Sequence, residues 1–412
     1  MENRNILLKN GRLITGGNSF ISDILFSGGT VSRIAENIEP DSSMTVVDIT
    51  GCIVSYGLAD VHVHFREPGY SAKETIATGS RAAARGGYTV VGTMPNLNPA
   101  PDSPENLQVQ LDLIREQAVI DVLPFATITG GRNGGPVVDM AAMKDKVMGF
   151  SDDGSGVQAG SRMEEAMRMA LREDVVISAH CEDMDEAPFS SESEWKQVCR
   201  DAKMAAEIGC RYHVCHVSTA ESVDAVRQAK AAGARVSCET APHYLTLTED
   251  DRLDEGRFRM NPPLRTKADR DALIMGIQDG SIEVIATDHA PHTAEEKSKG
   301  YWGSLMGIVG LETAFPVMYT KLVKTGVITI EKLIELMCDN PRRIFSLGGK
   351  LAEGERADIA VFELEKEYVI DPEDFETMGR STPFEGWKVC GRCVLTLKDG
   401  VPVYSELPQI SK

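Results

Sequence analysis

Eight short apolar runs, separated by longer helical patterns, constrain the fold of this chain more than any other feature. The runs cover residues 52–55, 88–92, 120–126, 147–150, 175–179, 212–215, 235–238 and 283–286, and helical patterns such as 73–85, 161–171 and 219–231 lie between them. Each run is brief, apolar and β-branched, as a strand is when both its faces are covered. Strands joined by helices form a parallel sheet, and eight of them can close into a TIM-like (β/α)8 barrel. An open doubly wound sheet would want a glycine-rich phosphate loop after its first strand. Here His and Arg follow the first strand, so the α/β barrel is the better reading.

The two ends of the chain have a different texture. Residues 6–11 and 45–48 read as strands, with Gly28-Gly29 as a turn signal; 358–362 and 393–397 read as strands, with Lys398-Asp399-Gly400 as a hairpin turn. Either set alone is small for a stable sheet. The expectation is one small β-sandwich domain, discontinuous in sequence (1–52 and 350–412), beside a barrel spanning 53–349.

Charge narrows the function. With 43 Lys+Arg against 62 Asp+Glu the formal charge is −19, which argues against a general nucleic-acid or anionic-membrane binder. A small anionic substrate held by a local cationic pocket stays open. No run of 18 apolar residues suggests a membrane span, and residues 1–17 offer no apolar signal core. The nine cysteines then read as reduced thiols in a cytoplasmic protein. A lone Cys390-x-x-Cys393 reads as structural thiols.

The chain has eight histidines, at 62, 64, 180, 213, 216, 243, 289 and 292, each in or just after an expected strand and none in an expected helix. In a barrel, the C-terminal strand ends form the active-site face. His62 and His64 alternate on one strand and so point the same way, a spacing at which two imidazoles can hold one metal ion. Later strands end in Asp152-Asp153, His180-Cys181-Glu182-Asp183, His213-x-x-His216 and Asp288-His289. Taken singly, Asp152, His213, His243 and His289 read as capping or loop-bonding residues. Taken together, the set at one barrel mouth points to a metal centre. Arg66, two residues after His64, can make a bidentate pair with a carboxylate.

The motifs DVHVHFREPG (60–69), GTMPN (92–96), FSDDG (150–154), HCED (180–183), HVST (216–219), MNPPLR (260–265), ATDHAPH (286–292) and GIVGLET (307–313) resemble the amidohydrolase superfamily, and within it the class I bacterial dihydroorotases. The resemblance implies two zinc ions per subunit. His62, His64 and Asp288 would hold one, His180 and His216 the other, and Asp153 would bridge them, with Asp152 as its rival. Some relatives bridge with a carbamylated lysine, but Lys144 and Lys146 precede the strand here. The implied reaction is reversible hydrolysis of the ring amide of dihydroorotate to N-carbamoyl-aspartate, a step of pyrimidine biosynthesis. An ion-activated water would attack, and Asp288 would move its proton to the leaving nitrogen. His64, Arg66, Asn96 and His292 would hold the substrate with Asn261, Met306 and Gly307.

Two departures from the family pattern stand out. The segment after His180 is shorter than in many relatives. Gly303-Ser304-Leu305-Met306-Gly307 replaces the usual Pro-Phe-Gly, and Gly300, Gly303 and Gly307 make this stretch a candidate mobile lid. A homodimer and association with aspartate carbamoyltransferase are further implications. The rival readings are a hydantoinase or allantoinase, and a non-catalytic partner of aspartate carbamoyltransferase.

Overall fold

The computed structural model describes residues 5–410; residues 1–4 and 411–412, at the extremes of the two terminal segments, lie outside the described residues. A (β/α)8 barrel carries the site. Its strands are Leu58–Val63, Tyr88–Thr93, Asp121–Ala126, Gly149–Phe150, Val176–Ala179, Arg211–Val214, Val236–Thr240 and Val284–Ile285, in that order around the sheet. Every neighbouring pair is parallel. The ring closes at the mouth, where Val63 bridges His289 and the His64 N–H donates to the His289 carbonyl at 2.8 Å. Backbone that continues the pairing past Ile285 thus holds the first and last strands together beside the site.

Seven of the eight expected strands fall where the apolar runs placed them. The first does not. Cys52–Tyr56 pairs with Asn5–Thr15 and Ile359–Glu363 in a second sheet, and the first barrel strand is the next apolar run, Leu58–Val63. Only Gly57 separates the two runs. A Cβ there would lie 2.1 Å from the Thr89 side chain, so glycine lets the chain pass from one sheet into the other at close contact.

The second sheet is mixed and draws on both ends of the chain. Its order is Val401–Ser405, Arg392–Lys398, Ile359–Glu363, Cys52–Tyr56, Asn5–Thr15, Asn18–Ser27 and Thr30–Ala35, with Met44–Asp48 also on Asn5–Thr15. The Asn5–Thr15 strand changes partner at an irregularity between Leu8 and Gly11. At the hairpin turn, Asp399 and Gly400 both have positive φ (52° and 75°), which suits the twist of the flanking strands.

Helices cover the barrel. Ile76–Arg85 starts at Thr75, which forms a reciprocal capping box with Thr78, and buries Ile76, Ala82, Ala83 and Ala84. Ala220–Ala231 starts at Thr219, whose hydroxyl accepts from the Ser222 N–H. His243 departs from expectation by lying inside a one-turn helix, Pro242–Thr246. All nine cysteines are free thiols, Cys390 and Cys393 among the buried ones.

Candidate active site

The barrel mouth gathers the ends of strands one, four, five, six and eight around one carboxylate. Asp153 Oδ1 lies 3.4 Å from His62 Nε2, 3.6 Å from His180 Nδ1 and 3.5 Å from His216 Nε2, and its Oδ2 lies 3.6 Å from His64 Nε2. Asp288 Oδ1 lies 3.1 Å from His64 Nε2 and 3.5 Å from His62 Nε2. Two ligand triads result, His62–His64–Asp153 and Asp153–His180–His216, all buried.

The adjacent aspartate does something else. Asp152 Oδ1 accepts from the Ile128 and Thr129 N–H groups at 2.8 and 3.1 Å, and its Oδ2 accepts from the Thr129 hydroxyl. Its oxygens are spent holding the loop after strand three, while those of Asp153 face the imidazoles.

The donor set fits a divalent metal. His62 Nε2 and Asp153 Oδ1 are buried without a hydrogen-bond partner, which is costly unless something else satisfies them. Imidazole and carboxylate suit a borderline metal such as zinc. Burial opposes charge on Asp153, but the surrounding imidazoles win and hold its pKa well below the carboxylate range. His64 and His62 likewise hold Asp288 down against burial.

The imidazoles are oriented from behind. His62 Nδ1 lies 2.6 Å from Glu239 Oε1, and Glu239 Oε2 lies 3.1 Å from His213 Nε2. His180 Nε2 faces Glu182 Oε2 at 3.1 Å, and His64 Nδ1 faces Asn96 Oδ1 at 2.9 Å. Such partners fix ring orientation and raise ligand basicity. Although burial alone would raise the Glu239 pKa, His62 and His213 bring it far down. His213, with Ser237 and Glu239, is thus a supporting residue, and His289 is spent on Glu74 and the Gly310 N–H. Cys215 completes a third cluster with His62 and Glu239, but burial pushes its thiol up to about 12, which disfavours the thiolate a metal needs.

Beside the triads a cavity of about 180 Å³ is lined by His64, Arg66, Asn96, Asn261, His292, Met306 and Gly307, among others. All the expected substrate-binding residues are therefore at one place. Arg66 makes no pair with Glu67; its Nε donates to the Pro291 carbonyl at 3.2 Å and its Nη2 lies 3.4 Å from His292 Nε2. Burial lowers its pKa to about 10, still a cation at neutral pH. Burial, Arg66 and Lys73 lower His292 to about 4, so its ring is neutral, with Nε2 2.8 Å from the Met306 carbonyl. Asn261 Nδ2 donates to Glu182 at 3.1 Å.

Both polar groups of the Gly307 backbone are engaged. Its N–H donates to the Arg259 carbonyl at 3.0 Å, and its carbonyl accepts from Lys297 Nζ at 2.7 Å. Its φ is 138°, and a Cβ would meet the Ala290 carbonyl at 2.4 Å. Lys297 Nζ also donates to the Arg259 and Leu305 carbonyls, tying down the stretch expected to be a lid. Strain collects at the site: Arg66, His216 and Asp288 have φ of 62°, 33° and 48°, each costing about 1–3 kcal/mol.

Residues 51–188 match the family model described as "Dihydro-orotase-like". The chain is 46% identical to a dihydroorotase of Fusobacterium nucleatum subsp. nucleatum, over 98% of this chain and all of that one. It is also 46% identical to a dihydroorotase of Bacillus caldolyticus, over 97% and 99% of the two chains. The chain belongs to the dihydroorotase family. Among solved structures it resembles an L-hydantoinase (dihydropyrimidinase) from Arthrobacter aurescens, with a TM-score of 0.89 and 25% identity over 97% of this chain and 96% of that one. A dihydropyrimidinase from Brevibacillus agri, at 21% identity and a TM-score of 0.88 over 97% of this chain and 95% of that one, shares the architecture.

Several residues of this dihydroorotase-family mouth were not singled out from sequence. Glu239 is the one charged residue in the barrel strand Val236–Thr240, where four of the five positions are buried, which is itself a signal of a buried charge partner. Glu182 lies within a quoted motif without a role. Lys73 and Glu296, which flank His292 Nδ1 at 3.3 and 3.1 Å, lie on connections whose local pattern reads as helix surface.

Proposed function

We propose that this chain is a dihydroorotase: a hydrolase that opens the ring amide of dihydroorotate to N-carbamoyl-aspartate and closes it in reverse. The observation that carries the reading is a buried guanidinium, Arg66, on the same cavity as two ligand triads sharing Asp153. His62, His64 and Asp288 would hold one zinc ion, His180 and His216 the other, with Asp153 between them. When bound, the two ions would polarise the scissile carbonyl and acidify a water.

The chain's own groups do the rest. Arg66, with His292 and the Asn96 amide nitrogen, receives the substrate carboxylate and sets the ring's orientation. Asn96 Oδ1 is already engaged by His64 Nδ1, which leaves Nδ2 as its donor. Asn261 contacts the ring, and Met306 and Gly307 close the cavity wall. A carboxylate oxygen of Asp288 takes the proton of the attacking water and delivers it to the departing amide nitrogen. Its lowered pKa means that the base form is present at neutral pH.

A place in pyrimidine biosynthesis in the cytoplasm follows from this reading. No helix among the described residues is long and apolar enough to cross a membrane. We also propose a homodimer, association with aspartate carbamoyltransferase, and a division into a β-sandwich unit from the chain ends and a barrel unit between them.

The deciding experiment is side-by-side turnover of dihydroorotate, hydantoin and allantoin, with metal quantified on the same protein. The expected result is turnover of dihydroorotate far above the two neutral rings, with two zinc ions per chain. Preference for hydantoin or allantoin would overturn the assignment in favour of the neutral-ring amidases.

A further inference from the structure

A second cavity, of about 460 Å³, is lined by Arg252, Arg259, Arg265, Phe189, Tyr301 and Trp302. Arg259 is its unusual member. The residue is only 8% exposed, and its Nε is buried without a hydrogen-bond partner. Its guanidinium carbon lies 4.6 Å from the Phe189 ring centroid, 5.0 Å from Tyr301 and 5.3 Å from Trp302. Aromatic faces attract a cation but accept no in-plane N–H, so they offset part of the burial cost and leave the donors unused. Arg252 lies over the same Tyr301 ring, at 4.8 Å.

The acidic residues nearby do not neutralise this pair. Asp269 also lines the cavity, but its carboxylate accepts from the Thr266 hydroxyl and the Ala220 N–H. Glu249 lines it without an ion pair to Arg252 or Arg259 among the described residues. Arg265 differs, since its Nη1 donates to the Phe189 carbonyl at 2.6 Å and its Nε to Ser218 Oγ at 3.1 Å. Two guanidinium groups therefore remain for a ligand.

We propose that this cavity is a second anion site, taking a small phosphate monoester. Its dianion sits against Arg252 and Arg259, and its flat organic group stacks on Trp302. A planar guanidinium fork suits phosphate oxygens, and a dianion matches two cations where a monocarboxylate matches one. Trp302 is 71% exposed, so it is free to take a stacking partner. The site is joined to the substrate cavity: the Arg259 carbonyl holds the Gly307 N–H and Lys297 Nζ, and Tyr301 and Trp302 lie in the helix Gly300–Gly303 of the same stretch. Occupancy thus bears on the wall formed by Met306 and Gly307.

Calorimetric titration of the metal-loaded full chain tests this with three probes: adenosine 5′-monophosphate, inorganic phosphate and adenosine. The nucleotide should bind once per chain, phosphate about tenfold more weakly, and adenosine not measurably. Arg259→Met should abolish nucleotide binding and Arg252→Gln should weaken it about tenfold. Removing an unpaired buried cation should leave the ligand-free Tm of Arg259→Met equal or higher, and the nucleotide should raise Tm only in the parent protein. Saturable binding that survives Arg259→Met overturns the proposal, as does nucleotide binding lost on Arg66→Met, which would place it in the substrate cavity. Equal binding of adenosine, absence of binding by all three probes, or a large fall in the ligand-free Tm of Arg259→Met would also overturn it.

Discussion

The two ends of the barrel both bury carboxylates, and only one end neutralises them with protein cations. At the floor, Lys398 Nζ lies 3.1 Å from Asp358, 3.2 Å from Asp399 and 3.1 Å from Asp121 at the start of the third strand, and Arg356 reaches the same three acids. At the mouth, Asp153 and Asp288 meet imidazoles, with no Lys or Arg side chain in ion-pair contact among the described residues. A cluster that closes on itself ties the second sheet to the barrel. A cluster that leaves donor atoms facing one another is built for something that is not protein.

If that contrast holds, changes at the two ends should separate activity from stability. Asp288→Ala should lower kcat by about 10³-fold or more, since it removes both a ligand and the proton carrier. Thermal unfolding should remain cooperative with a similar Tm. A variant that keeps most of its turnover at saturating dihydroorotate would refute the proton-transfer role.

Lys398→Met probes the other end. It removes one of the two cations that meet the buried Asp358 carboxylate and leaves Arg356, and should cost about 1–3 kcal/mol in denaturant unfolding. Steady-state kcat and KM should stay within about twofold of the parent. A loss of turnover without a loss of stability would erase the distinction between floor and mouth.

The adjacent aspartates sharpen the same contrast within one loop. Asp152→Ala leaves the Ile128 and Thr129 N–H groups without their acceptor, an expected loss of about 1–3 kcal/mol, with metal content unchanged. Asp153→Ala should instead reduce bound metal to at most one ion per chain, read by elemental analysis. Spacing could not tell these two apart, because both follow the same short strand. What separates them is where the loop after strand three offers its N–H groups, a tertiary fact.

Other parts of the molecule were legible for physical reasons. Barrel strands buried on both faces are short apolar runs, so seven of them stood out, and the strand ends carried the histidines because that is where a barrel exposes side chains to one cavity. The first strand was misplaced because Cys52–Tyr56 is the more apolar run, whereas Leu58–Val63 carries Asp60 and His62, and only the strand partners show which of the two belongs to the barrel. Glu239 and Glu182 escaped because an orienting carboxylate needs no fixed spacing from the imidazole it serves.

The smallest expected effect concerns His292, which lines the mouth cavity beside Arg66 and Lys73. Burial, Arg66 and Lys73 lower its folded pKa to about 4, below the ordinary value near 6.5 that it regains on unfolding. The folded state therefore binds fewer protons between these values, and the stability contribution is full above about 6.5 and falls as pH drops toward 4. The facing groups are Arg66, Lys73 and Glu296. Arg66, lowered by burial only to about 10, keeps its charge throughout, and Glu296, held at about 2 despite burial by Lys73 and the Thr293 N–H, does not titrate in the window. Between pH 7.5 and 5.5 the parent should lose about 1 kcal/mol more than His292→Asn does. Chemical denaturation of both proteins at the two pH values measures it. Equal losses would mean that the imidazole titrates alike in the folded and unfolded chains, so that the rim would present a third cation rather than a neutral ring once the pH falls below about 6.5.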